Sequence, residues 1–174
     1  IIVSNHMSNI DPSILSCSIN RRLQFLAKDT LFKGFPLSQM LRAYGAYPIR
    51  RGRPDIEAIK WATDQLGKDA ALVVFPEGTR NNGKMIKGKI GTARLIQMTQ
   101  STILPVGITG TEHLQHLGRV IKPTGHIKVN IGTPFSLPKI DGEITKSIFE
   151  SLTEIIMLRV ANLLPRRYKG VYDV

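Results

Sequence analysis

Residues 70–75 read Ala-Ala-Leu-Val-Val-Phe, an unbroken apolar run that stops at Pro76-Glu77-Gly78. A strand open to water on one side alternates polar and apolar residues, so a strand apolar at every position is covered on both faces. Such a strand belongs in the middle of a sheet with helices above and below. Strand and helix patterns alternate through the rest of the chain. The expected fold is therefore α/β: a single-domain sandwich of helices packed around a largely parallel or mixed central β-sheet. At 174 residues the chain has the size of one domain, expected to span 1–174.

The other elements follow from their own patterns. Ile1 to Ser4 is a short β-branched strand, and Asp11-Pro12 supplies an N-cap and a first helical residue, with Ile14, Leu15 and Ile19 turned inward. Leu23 to Ala27 is extended, residues 36–42 are helical, and Tyr44 to Ile49 is extended again. Pro54 opens a helix striped by Ile56, Ile59, Ala62 and Leu66. A helix over 88–98 precedes a strand over 103–109 that Pro105 interrupts. Ile127, Val129 and Ile131 alternate with Lys128 and Asn130, which gives a strand with one polar face. From about Asp141 an amphipathic helix sets Ile144, Ile148, Leu152, Ile155 and Leu163 on its core side. The single Cys17 reads as a small buried hydrophobe.

No apolar run approaches the ~20 residues of a membrane-spanning helix, and no signal-peptide pattern is present. The chain opens mid-strand, so an upstream segment is expected in the parent protein, which leaves room for a membrane anchor. Lys and Arg number 24 against 13 Asp and Glu, a formal charge of +11. That surplus attracts nucleic acid, anionic lipid, phosphorylated substrates or acidic carrier proteins without choosing among them. The basic pairs Arg21-Arg22, Arg50-Arg51 and Arg166-Arg167 are dispersed rather than gathered into a tail. Aromatic residues are 6% of the chain, too sparse for the stacking that single-stranded nucleic acid requires.

Two segments could carry chemistry. Asn5-His6-Met7-Ser8-Asn9-Ile10-Asp11 places a histidine just past the first strand and an aspartate at the following helix. Across a strand-to-helix turn the two can converge, and a carboxylate beside an imidazole fixes its tautomer and supports its charged form. The same pair also reads as a loop histidine and a plain N-cap. Phe75-Pro76-Glu77-Gly78-Thr79-Arg80 follows the buried strand, where open α/β sheets bind ligands, though it also reads as an exposed turn. Gly45 to Gly52, with Arg50 and Arg51, and Leu104-Pro105-Val106-Gly107-Ile108 are weaker signals.

In their order and chemistry these four blocks resemble those of the glycerolipid acyltransferase family, of the 1-acylglycerol-3-phosphate acyltransferase type. The resemblance covers residues 1 to about 110. It implies that His6 is the general base that deprotonates an acceptor hydroxyl and that Asp11 orients and polarises it. It implies that Arg50, Glu77, Gly78, Thr79 and Arg80 shape the acceptor site, the arginines holding its phosphate, and that Pro105 belongs to the acyl or acceptor channel. Asn81 stands where the family often has Ser, and Leu104 where it usually has Val. The implied reaction moves a fatty acyl group from acyl-CoA or acyl carrier protein to lysophosphatidic acid, giving phosphatidic acid. A thiolate with a pKa of about 8.5 leaves unaided, so the alcohol's proton is the difficult one. Backbone N–H groups at the start of the helix after Asp11 could serve the oxyanion.

No cofactor beyond the acyl donor and no metal is implied. The expected setting is an anionic membrane surface on the cytoplasmic face, with no nucleic-acid partner. Glycerol-3-phosphate or another lysophospholipid is the nearest alternative acceptor. A basic, non-enzymatic module for anionic membranes or nucleic acid is the alternative of a different class. Three look-alikes fall away. Gly83 to Ile90 imitates a phosphate-binding loop but lacks its final Ser or Thr, Glu112-His113-Leu114-Gln115-His116 has the wrong histidine spacing for a zinc helix, and no Gly-x-Ser-x-Gly elbow exists.

Overall fold

The computed structural model describes residues 1–50, 52, 55–114 and 126–173. Its sheet is built from β1 (Ile2–Ser4), β2 (Leu23–Lys28), β3 (Ala46–Ile49), β4 (Ala71–Val74), β5 (Leu104–Thr109) and β6 (Lys128–Ile131). The strands lie in the order β3-β2-β4-β1-β5-β6. β1 to β5 pair in parallel, and β6 runs antiparallel to β5 at one edge. The helices are α1 (Asp11–Ser18), α2 (Leu37–Ala43), α3 (Ile56–Gly67), α4 (Gly91–Thr99), α5 (Lys146–Ala161) and α6 (Arg166–Lys169). The mixed, mostly parallel sheet expected from the sequence is the one observed. β4 is internal, with Leu72 and Val73 buried, as its unbroken apolar run requires.

Chain direction decides where a ligand can sit. From β1 the chain moves to β2 and β3, then turns back through β4 to β5. With right-handed crossovers, α1 and α2 fall on one face of the sheet and α3 and α4 on the other. Tyr44, just past α2, is hydrogen-bonded to Ser16 of α1 at 2.7 Å, and α3 packs on α4, as that division demands. The neighbours β1 and β4 therefore send their chains to opposite faces, which opens a crevice at their carboxyl ends. The loops leaving these two strands carry residues 5–11 and 75–80.

Several sequence expectations shift. Asp11 is the first residue of α1 rather than its cap; Ile10 holds the cap position and no side chain caps the helix. Cys17 is exposed, because it lies two residues, about 200°, around the helix from the buried Leu15. Pro54 lies outside the described residues; Asp55 caps α3 by accepting from the Ala58 N–H at 3.3 Å. Ile56 faces water, and the buried side of α3 is Ala58 and Ala62. The last long helix begins at Lys146, capped by Thr145, so Ile144 precedes it. Ile155 is 45% exposed and Ile156 is buried in its place. Met157 and Thr153 close on Gly88, where an added Cβ would lie within 2.9 Å of either, and that contact sets the rotation of α5. β6 is the edge strand among the described residues and is only half covered, with Ile127 and Ile131 exposed.

Pro105 sits in an inner strand without losing a hydrogen bond. The Leu104 N–H donates to Ile1, so the Pro105 nitrogen faces the other edge, where pairing with β6 starts only at Val106. Two residues on, Gly107 leaves room for Leu163, whose Cβ would lie 2.9 Å from a side chain there.

Candidate active site

β1 ends at Ser4, and the next residue continues its ladder with a side chain. The Asn5 amide donates to the Ile108 carbonyl at 2.9 Å and accepts from the Ile108 N–H at 2.8 Å. This mimicry of a backbone pair pins the loop at β5 and aims His6 into the crevice. The loop then folds around one oxygen of Asp11. Oδ2 lies 2.8 Å from His6 Nδ1 and accepts the N–H groups of Met7 at 2.7 Å and Ser8 at 2.8 Å. Asp11 is fully buried, and its Oδ1 has no partner among the described residues. Three donors on one buried carboxylate fix the loop geometry and the imidazole together.

With Nδ1 taken, Nε2 is the ring atom left to meet a ligand. The imidazole stacks on Phe75, centroids 4.2 Å apart and planes 20° apart, which prevents it from tilting. The loop after β4 closes on the same histidine. Glu77 Oε1 accepts the His6 N–H at 3.1 Å, and the Asn81 N–H donates to the His6 carbonyl at 2.8 Å. Glu77 Oε2 accepts from Asn81 Nδ2 at 2.7 Å and from the Ile86 N–H at 3.2 Å. Burial raises the Glu77 carboxyl above the usual range, and these donors oppose the shift. Glu77 thus joins the two loops from beneath. Asn81, read in the sequence only as a departure, anchors it and also accepts from the Gly83 N–H at 2.9 Å.

A cavity of about 550 Å³ extends from His6 between the sheet and the α3–α4 pair. Leu26, Ala62, Val74 and Leu95 form its apolar wall; Arg50, Gly78 and Lys89 stand with His6 where the lining reaches solvent. Gly78 adopts φ +67°, and a Cβ there would lie 2.9 Å from Lys89 Nζ. The glycine therefore serves both the left-handed turn and the approach of the ammonium group. Lys89 is held by its own N–H, which donates to the Pro76 carbonyl at 2.8 Å, and it forms no ion pair with the described residues. It is 12 positions from Glu77, in a basic loop that reads as solvated surface, and no local pattern singles it out.

Of the residues named from sequence, His6, Asp11, Arg50, Glu77 and Gly78 come together at or directly behind this cavity. Thr79 and Arg80 are exposed on the adjoining turn, and Pro105 is buried in β5; none of the three lines it. Arg50 is already engaged. Its backbone N–H and guanidinium reach Asp55 at 2.8 Å and 3.3 Å, and Glu57 lies 3.8 Å away. The backbone N–H of Arg50 first, and then its guanidinium, hold the Asp55 carboxyl down at about 2. A carboxyl below its ordinary value of about 3.8 stabilises the fold fully above that pH and loses the effect as pH falls toward 2. Asp55→Asn is therefore expected to be less stable than the parent at pH 6. Acid-unfolding curves of the two should converge between pH 4 and pH 2; a constant gap would exclude the ion pair. Arg51 and the pair Gln115-His116 lie outside the described residues.

A family model described as Acyltransferase matches residues 1–109. The 1-acyl-sn-glycerol-3-phosphate acyltransferase of Streptococcus pneumoniae is 31% identical over 142 residues, 80% of this chain and 51% of that protein. The chloroplastic 1-acyl-sn-glycerol-3-phosphate acyltransferase LPAT1 of Arabidopsis thaliana is 29% identical over 163 residues, 87% of this chain and 44% of that protein. The chain thus spans about half the length of these relatives. The fold resembles the crystal structure of the 1-acyl-sn-glycerophosphate (LPA) acyltransferase PlsC from Thermotoga maritima. The TM-score is 0.66 at 24% identity, covering 93% of this chain and 64% of that one.

Proposed function

Because the chain belongs to the acyltransferase family, we propose that it carries the catalytic domain of a 1-acylglycerol-3-phosphate O-acyltransferase. The reaction moves a fatty acyl group from an acyl-CoA or acyl carrier protein thioester to the free hydroxyl of lysophosphatidic acid, and phosphatidic acid leaves. The observation that supports this most is the His6–Asp11 pair, at 2.8 Å, opening onto a largely apolar cavity with cations at its rim.

His6 Nε2 takes the acceptor's hydroxyl proton as the oxygen attacks the thioester carbonyl. Asp11 fixes the tautomer that leaves Nε2 unprotonated and then stabilises the imidazolium. When the tetrahedral intermediate collapses, the C–S bond breaks and the thiolate carries off the electron pair, with His6 returning the proton. The Met7 and Ser8 N–H groups are spent on Asp11, so oxyanion stabilisation falls to other donors. The apolar wall suits the acyl chain. At the rim, Lys89 is, among the described residues, the cation with no carboxylate partner and suits the acceptor phosphate, with Arg50 offering what its carboxylate partners leave over. No cofactor beyond the acyl donor enters this scheme. The acceptor's home in a bilayer places the reaction at a membrane surface, which we assign to the cytoplasmic face.

The test is acyl transfer by the full-length protein from labelled acyl-CoA and from acyl carrier protein, against lysophosphatidic acid, glycerol-3-phosphate and an uncharged-headgroup lysolipid. Lysophosphatidic acid is expected to react fastest. Lys89→Met should raise its KM about tenfold or more while kcat changes little, as loss of one charge-assisted phosphate contact predicts. A preference for glycerol-3-phosphate, or an unchanged KM in Lys89→Met, would overturn the acceptor assignment.

A further inference from the structure

Exposed large hydrophobic side chains are not spread evenly over the described residues. Leu31, Phe35, Leu37, Met40 and Tyr44 are clustered within the segment joining β2 to β3, with Phe35 81% and Met40 64% exposed. That segment consists of a 3₁₀ turn, Asp29–Phe32, and α2, and neither contains a buried residue. Helices in proteins draw most of their stability from an apolar face packed on something. α2 packs along β3 and the 3₁₀ turn, yet presents Leu37 and Met40 to water. Its unused apolar face points away from the core.

The surrounding charge is mostly positive. Lys28, Lys33 and Arg42 are exposed among these side chains, and Asp29 is the single carboxyl between positions 28 and 44. Arg42 lies over the Phe32 ring, its guanidinium carbon 5.4 Å from the centroid, so its stem covers apolar surface while its charge stays outward. Apolar side chains interleaved with cations are what an anionic bilayer interface takes up: the first enter the acyl boundary, the second meet headgroup phosphates.

We propose that this face, residues 28–44, seats the domain on an anionic lipid bilayer, with Phe35, Leu37 and Met40 inserted and Lys28, Lys33 and Arg42 on the phosphates. The segment leaves β2 at the same end of the sheet as His6 and Gly78. It is bracketed in sequence by cavity residues, Leu26 before it and Ile49 and Arg50 after it. Although α2 and the cavity lie on opposite faces of the sheet, seating turns the carboxyl end of the strands, where the cavity opens, toward the lipid that holds an amphipathic acceptor. That last consequence rests on the proposed reaction; the docking itself does not.

Vesicle flotation of the full chain tests it, using phosphatidylcholine vesicles with and without phosphatidylglycerol. Phe35→Ser combined with Met40→Ser should lower partitioning about tenfold or more on both, since two inserted side chains are lost. Lys33→Glu should lower it about tenfold on the anionic vesicles alone. Melting temperatures should stay at the parent value, because neither position is packed. Transfer to a short-chain, water-soluble acceptor should also be unchanged in the double variant. His6→Ala should float as the parent does, so loss of catalysis and loss of docking are read separately. Parent-like flotation of both variants would overturn the proposal. So would a clear drop in the double variant's melting temperature, which would show that protein, not lipid, covers these side chains.

Discussion

Replacing His6 with alanine is expected to lower the rate of acyl transfer by about a thousandfold and leave the fold in place. The chemistry loses its imidazole base, and Asp55, a carboxylate that also lines the cavity, is held by Arg50. Glu77 is buried behind the histidine and committed to three donors. The architecture loses little, because the contacts that clamp residue 6 are made by its backbone. Its N–H to Glu77 and its carbonyl to Asn81 survive the substitution. Asp11 would still hold Met7 and Ser8. A melting temperature within a few degrees of the parent, together with a collapsed kcat, is the expected pair of readings. A near-parental kcat would remove His6 from the mechanism. Asp11→Ala is the poorer probe, because it frees three donors at once and would unmake the loop as well as the tautomer.

Much of this arrangement could be read from the chain, and the misreadings have physical causes. β4 was legible because a strand with both faces covered has no freedom to be polar, and its position then dictated a sheet with helices on either side. The two loops were legible because Gly78 and the His6–Asp11 pair carry constraints that other residues cannot meet. Ile155 was taken for core because it continues Leu152 at i+3, while Ile156 continues it at i+4. Sequence periodicity cannot separate these rows; the close approach of Met157 and Thr153 to Gly88 does. Lys89 escaped for a related reason. It enters the cavity through a main-chain hydrogen bond to Pro76, and main-chain partners leave no trace in residue identity. At Arg50 the charge was visible in the sequence, but not its engagement by Asp55.

Glu77→Ala should cost stability heavily, about 3 kcal/mol or more. The carboxylate is 1% exposed and satisfies the His6 N–H, the Asn81 amide and the Ile86 N–H. Each donor left buried and unpaired costs about 1–3 kcal/mol. One effect runs the other way. Burial raises this carboxyl, so the folded state holds the proton more tightly than the unfolded one. From the ordinary carboxyl range up to the folded value, stability falls as pH rises, and removing the group relieves that cost. The three orphaned donors outweigh it, because the same donors already hold the shift down. Glu77→Gln separates the two effects. It carries no charge to desolvate, yet its amide nitrogen must stand either where Oε1 meets the His6 N–H or where Oε2 meets both the Asn81 amide and the Ile86 N–H, and in either place donor faces donor. Urea unfolding at neutral pH should place it between parent and alanine, about 1–2 kcal/mol below the parent. Both variants should also lose activity, because Glu77 makes one of the two bonds that tie the β4 loop to the backbone of His6 and holds Asn81, which makes the other. If Glu77→Ala unfolded at the parental urea concentration, the carboxylate would not be the joint between the two loops, and the placement of His6 would need another cause.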